Sequence, residues 1–240
     1  MVTLNFRSEP TIVSTSVPQA ASRPDDMSDN AHRQLIGYIG LLLPLLLIVI
    51  AISRDGLERW ESLESISAYY YTGAVAAFVG MLVALALFLF TYRGYKNKYN
   101  LADRIAAKTA AIASLVVAFF PTKAPKGVSA LSWWTPTTGI LHHVAAVVLF
   151  IMFAIFALWL FRLTADGEQP VPDKRLRNAV YLVCGIVIVV CICWAGLNAR
   201  ADRPIFWPES IALVAFALSW LVKGYALNTV VDTARSMRRS

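Results

Sequence analysis

Between Ala74 and Thr91 the chain carries no charged residue, and the centre of that run reads VAAFVGMLVALALFLF. With Gly73 and Tyr92 at its ends, the segment can cross the hydrocarbon of a bilayer as one helix, which takes about 20 apolar residues. Five other hydrophobic segments can be arranged around it, at 34–53, 102–120, 139–163, 178–197 and 208–227. The expected fold class is all-α, a polytopic transmembrane bundle of six helices.

Composition points the same way. Of the 240 residues 58% are hydrophobic and 15% charged, and the mean hydropathy is +0.58. A soluble domain has about half its residues apolar and about a quarter charged. The net charge of +7 would suggest nucleic acid in a soluble chain. Here the basic residues sit at the ends of apolar runs, where they orient a protein against an anionic leaflet. No nucleic-acid partner is expected. Cys184, Cys191 and Cys193 share one apolar segment, which argues against a disulfide framework, and no Cys/His spacing suits zinc. No metal or cofactor is expected.

Three regions follow. Residues 1–32, rich in Ser, Pro, Asp and Thr at their start, read as a disordered cytoplasmic tail without a signal peptide. Residues 33–227 hold the six spans, and 228–240 form a basic cytoplasmic tail. In the first span Pro44 is expected to kink the helix, while Gly37 and Gly40 allow a neighbour to approach closely. The third span has small residues in rows, Ala106, Ala110, Ala113 and Ala107, Ala111, Ser114, Ala118. Such rows draw helix backbones together, so this segment is expected to be the best-buried helix. Tyr69, Tyr70 and Tyr71 are expected in an interfacial aromatic belt, with Trp133 and Trp134 as anchors in an outer loop.

Six spans place both termini on one side. With Arg7 and Arg23, far out in the tail, left out, that side collects fourteen Lys and Arg: Arg33, Arg93, Lys96, Lys98, Arg104, Lys108, Arg162, Lys174, Arg175, Arg177, Lys223, Arg235, Arg238 and Arg239. The other side has six: Arg54, Arg59, Lys123, Lys126, Arg200 and Arg203. The positive-inside rule then puts both termini in the cytoplasm, with a bacterial inner membrane as the expected location.

Polar residues set into apolar helices usually face a bundle interior or a watery pocket, because burying them in lipid costs a few kcal/mol. On the outer side these are Glu64, Ser65 and Ser67 before the second span, Thr122 after the third, His142 and His143 in the fourth, and Glu209 and Ser210 in the sixth. Glu64, Ser67, Tyr70, His142, His143 and Glu209 are the candidate ligand-binding residues; no residue is assigned a catalytic role. Ser67, one of the two histidines and Glu209 are expected to line one outward-facing pocket. The adjacent histidines point about 100° apart on a helix, so at most one faces a given site. Each member has a plainer role too: Glu209 complementing a helix dipole, Ser65 and Ser67 as caps. A second cluster, Asp103, Lys108 and Lys223 with Arg104 and Arg162, lies on the inner side. There the lysines either snorkel to the headgroups or pair with Asp103.

The strings SISAYYYT and FVG, YRGY, AFFPT, LHH and PESIAL with SWLVKG resemble an uncharacterised bacterial multi-pass membrane family. That family is distantly similar to DUF998 and the Frag1/DRAM-like six-helix proteins. The resemblance covers roughly residues 33–227 and implies a fold rather than an activity. A looser similarity, a Ser and a His on an outer rim, is to membrane hydrolases related to alkaline ceramidases and progestin-receptor-like proteins. Those use seven helices and an HxxxH pair, which this chain lacks. The leading expectation is an inner-membrane protein whose outward polar cavity binds a lipid or small amphiphile for sensing, transport or envelope support. The alternatives are a membrane-embedded lipid hydrolase or transferase using Ser67, a histidine and Glu209, and a subunit of a larger membrane complex. Expected partners are membrane lipids, a small amphiphilic ligand, and a membrane-protein partner or second copy.

Overall fold

The computed structural model describes residues 24–56, 63–94, 97–163 and 174–225. The expected tails at 1–23 and 228–240 and much of the loops at 54–63 and 164–177 lie outside them. Among the described residues there are six α-helices and no strand: α1 Pro24–Asp55, α2 Val75–Thr91, α3 Asn100–Phe119, α4 Pro136–Leu158, α5 Lys174–Arg200 and α6 Phe206–Lys223. Two short 3-10 helices, Ile66–Tyr71 before α2 and Leu160–Arg162 after α4, complete the order.

Four stretches are long and apolar enough to cross a membrane: Ser28–Asp55, Pro136–Arg162, Lys174–Arg200 and Phe206–Lys223. The protein is membrane-embedded. α2 is as apolar as expected, but its 17 residues span only about 26 Å, short of the ~30 Å hydrocarbon core. α3 carries Asp103, Arg104 and Lys108 in its first half. α1 begins at Pro24, ten residues before the expected start of the first span. Residues 24–32, expected as the end of a tail, are helical, and α1 continues through Pro44 as one helix.

Each helix packs on its neighbours in sequence, and α6 closes back on α1, so the bundle is a ring in chain order. α4 also touches α6 across the ring. Small residues make the closing seam. A Cβ on Gly37 would lie 2.7 Å from Leu221 Cγ and 3.0 Å from the Ala217 carbonyl oxygen. On Gly40 it would meet the Phe216 ring at 3.0 Å. Aromatic rings fill the interior. Phe153 and Phe216 stack at 3.6 Å between centroids, and the fully buried Trp220 touches Tyr92, Phe156 and Phe161.

The third expected span is a wall of the ring and not its centre. α3 buries one face, the Ala106, Ala107, Ala110 and Ala111 side, against α2 and α4. There Ser114 Oγ donates to the Leu82 carbonyl at 2.9 Å. Its other face exposes Leu101, Ile105, Ile112 and Phe119. α6 is the better-buried helix, with eleven of 18 residues inside against nine of 20 in α3. The alanine rows mark one close contact face; they do not say how many faces a helix covers.

Candidate functional site

α1, α3 and α5 finish at one end of the ring, here called the mouth, and α2, α4 and α6 start there. The chain between α1 and α2 folds back into this mouth. Ser65 caps the 3-10 helix by accepting from the Ala68 N–H at 3.1 Å. Ile66, Ser67, Ala68 and Tyr69 are buried as a result. Tyr69 is fully enclosed beside Phe206, so it belongs to the core and not to an aromatic belt. Tyr71 donates its hydroxyl to the Thr122 carbonyl at 2.8 Å. Burial, with Tyr70 beside it, raises the pKa of that phenol and keeps it a donor.

Three neighbouring elements hold this re-entrant segment through groups that helix ends leave unpaired. The first N–H groups of a helix have no partner within it, and at α6 the Glu64 carbonyl accepts from Ile205 at 2.7 Å and from Phe206 at 3.1 Å. In return Glu209, in the first turn of α6, accepts from the Ile66 N–H at 2.7 Å. From the α3 side, Pro121 stops the helix and frees the Phe120 carbonyl. On α4, Thr135 and Thr138 form a capping box with Pro136 in the first turn, which places His142 about two turns in and facing inward. Its Nδ1 lies 2.6 Å from the Phe120 carbonyl and its Nε2 2.8 Å from Ser67 Oγ. A carbonyl only accepts, so Nδ1 carries the proton. In the neutral ring Nε2 then accepts from the Ser67 hydroxyl.

The expected trio is therefore together, but not as the lining of one pocket. Ser67 and His142 are 8% and 2% exposed and form a closed joint. Two cavities at the mouth involve the other histidine. A polar chamber of about 540 Å³ is walled by Glu64, Thr122, Lys123, Lys126, Trp134 and Arg203, among others. An apolar crevice of about 250 Å³ lies between α4, α5 and α6, lined by Val147, Phe150, Ala195, Gly196 and Ala212, with Glu209 at its wall. His143, Ala199 and Ile205 line both. His143 gives its Nδ1 proton to the Gly139 carbonyl at 2.6 Å, which leaves Nε2 as its remaining hydrogen-bonding atom.

Sequence reasoning left open which histidine faces the interior; the geometry assigns His142 to the interior and His143 to the cavities. Tyr70 packs on Tyr71 and Phe78 and borders neither cavity. Lys123 and Arg203, read only as topology charges, prove to be chamber walls. The small residues Ala195 and Gly196 with Ala199 one turn on along α5 were the available signal for the crevice.

At the opposite end Asp103 is buried and accepts from the Tyr92 hydroxyl at 3.3 Å. Lys223 does not snorkel. It is 4% exposed and donates to the Phe161 carbonyl at 3.3 Å. Lys108 points outward, its ammonium 5.7 Å from the Phe90 ring centroid. Arg33, read only as a topology charge, is buried there and donates to Asn30, and His32, which the sequence reading passed over, reaches the Phe88 carbonyl at 2.7 Å. No family model, curated protein or solved structure matches this chain.

Proposed function

We propose that this protein is a six-span inner-membrane protein, with both termini cytoplasmic, whose outward-facing mouth binds a lipid or other small amphiphile. The observation that carries the reading is the junction of a polar chamber with an apolar crevice across His143, Ala199 and Ile205. A polar site alone suits a water-soluble solute, and an apolar groove alone suits a neighbouring helix. The two side by side, with three lining residues in common, suit a molecule with a head and a chain. Support for α2 and α3 as spans comes from the ring, which sets each between neighbours of membrane length or apolarity. Support for the orientation comes from the fourteen-to-six split of basic residues.

Native mass spectrometry of the protein taken from its membrane tests the binding. A bound amphiphile is expected on the parent and lost on Gly196→Phe, which fills the crevice. Equal retention by both proteins would end the reading.

A second reading rests on Ser67 and His142. A serine hydroxyl 2.8 Å from an imidazole whose other nitrogen is oriented by a carbonyl has the arrangement of an activated nucleophile. Against it stands the burial of both side chains and the absence of either from the walls of the chamber and the crevice. A fluorophosphonate probe decides. The binding reading expects no labelling of Ser67, whereas labelling abolished by Ser67→Ala would favour a hydrolase.

A further inference from the structure

Resting on the amphiphile reading, the ligand's chemistry can be narrowed. We infer that the mouth takes a single-chain amphiphile with a phosphate-bearing headgroup, its phosphate held at the chamber wall of Lys123 and Arg203 and its chain in the crevice along Ala195 and Gly196.

Charge selects the head. The chamber wall has three cationic side chains, Lys123, Lys126 and Arg203, and two carboxylates, Glu64 and Asp202. Lys126 and Asp202 pair with each other at 3.2 Å, both largely exposed. Among the described residues Lys123 and Arg203 enter no ion pair, so positive charge is left in excess. A guanidinium fork and an ammonium lining one chamber are a common donor set for phosphate oxygens. His143 Nε2, at the seam, is placed to meet the linkage between head and chain.

Volume sets the rest. The crevice, at about 250 Å³, is a narrow groove that suits a segment of one chain. The chamber is about twice as large, at 540 Å³ against 250 Å³. That leaves room for a phosphate with a further polar substituent and far exceeds a bare carboxylate. Depth agrees with charge and volume. Trp133 and Trp207 are exposed at the same end of the helices, where indoles sit at the headgroup level. The chamber then lies among headgroups and the crevice among acyl chains, so a membrane amphiphile needs no detour through water to reach both.

The crevice also has its own negative control. A Cβ on Gly196 meets no atom within 4 Å, so Gly196→Ala leaves the wall intact, whereas Gly196→Phe fills the space a chain would take.

The test titrates full-length protein, held in amphipol so that no detergent competes, with dodecyl phosphate, dodecanoate, dodecyl maltoside and inorganic phosphate. The expected result is dodecyl phosphate binding at least about tenfold more tightly than dodecanoate or the maltoside, the equivalent of one charge-assisted hydrogen bond. That preference should vanish in the Lys123→Glu/Arg203→Glu double variant, whose changes are on exposed side chains. Binding should be lost in Gly196→Phe and kept in Gly196→Ala. Equal binding of all three dodecyl compounds, still lost in Gly196→Phe, overturns the phosphate assignment and leaves an amphiphile site. Inorganic phosphate binding as tightly as dodecyl phosphate, with Gly196→Phe without effect, overturns the chain and makes the chamber a site for free phosphate. Failure of every dodecyl compound to bind the well-folded parent overturns this inference and the reading beneath it.

Discussion

At the scale of single residues, the mouth shows how one carboxylate serves a backbone. Glu209 stands in the first turn of α6, where a negative charge is favoured. It also accepts from the Ile66 N–H on a segment 143 positions away in sequence. Glu209→Ala strips that donor of its partner, and an orphaned half-buried N–H costs about 1–3 kcal/mol. Glu209→Gln keeps an acceptor oxygen, so it should recover more than half of that loss. Thermal unfolding in detergent reads both, and equal losses in the two variants would remove Glu209 from the clamp. Ser67 and His142 are coupled in the same way. A double-mutant cycle of Ser67→Ala and His142→Phe should give an interaction of about 0.5–3 kcal/mol. Strict additivity would mean that the 2.8 Å contact carries no energy.

At the scale of elements, helix ends organise the mouth. Backbone groups at the start of α6 and just beyond α3 are satisfied by the re-entrant segment between α1 and α2, through the Glu64 carbonyl and the Tyr71 hydroxyl, while the Phe120 carbonyl at the end of α3 takes His142 of α4. The close face of α3 is a separate matter of volume. Ala110 is fully buried on it, and Ala110→Leu should cost about 1–3 kcal/mol through overpacking. Ile112, 58% exposed on the outer face of α3, should accept Leu at little cost. Denaturation of both variants in detergent checks the pair. A tolerant Ala110 would mean that α2 and α4 stand further off than the ring requires.

At the scale of the whole molecule, the ring divides the protein into a mouth with cavities and a far end with buried charge. Single cysteines placed at Ser129 and at Lys98, in a background lacking the three native ones, report which end faces out. Ser129 is expected to react with an impermeant maleimide in intact cells, and Lys98 only after permeabilisation. The reverse pattern would set the chamber against the cytoplasm.

The apolar runs determined the class and the rough placement of all six helices, because lipid and core packing both demand long uncharged segments and each leaves its mark locally. Gly37 and Gly40 announced a close seam for the same reason: the absence of a side chain is visible in one dimension. Clustering of Ser67, His142 and Glu209 was also foreseeable, from polar residues recurring at one depth in three segments. Their division of labour was not. Which histidine turns inward depends on where Thr135 starts α4 and where Pro121 stops α3, since 100° of helical rotation separates a buried joint from a cavity wall. The burial of Lys223, the outward face of α3 and the entry of Lys123 and Arg203 into a chamber depend on how the ring closes. That closure is the sum of contacts between segments far apart in the chain, and only the tertiary structure decides it.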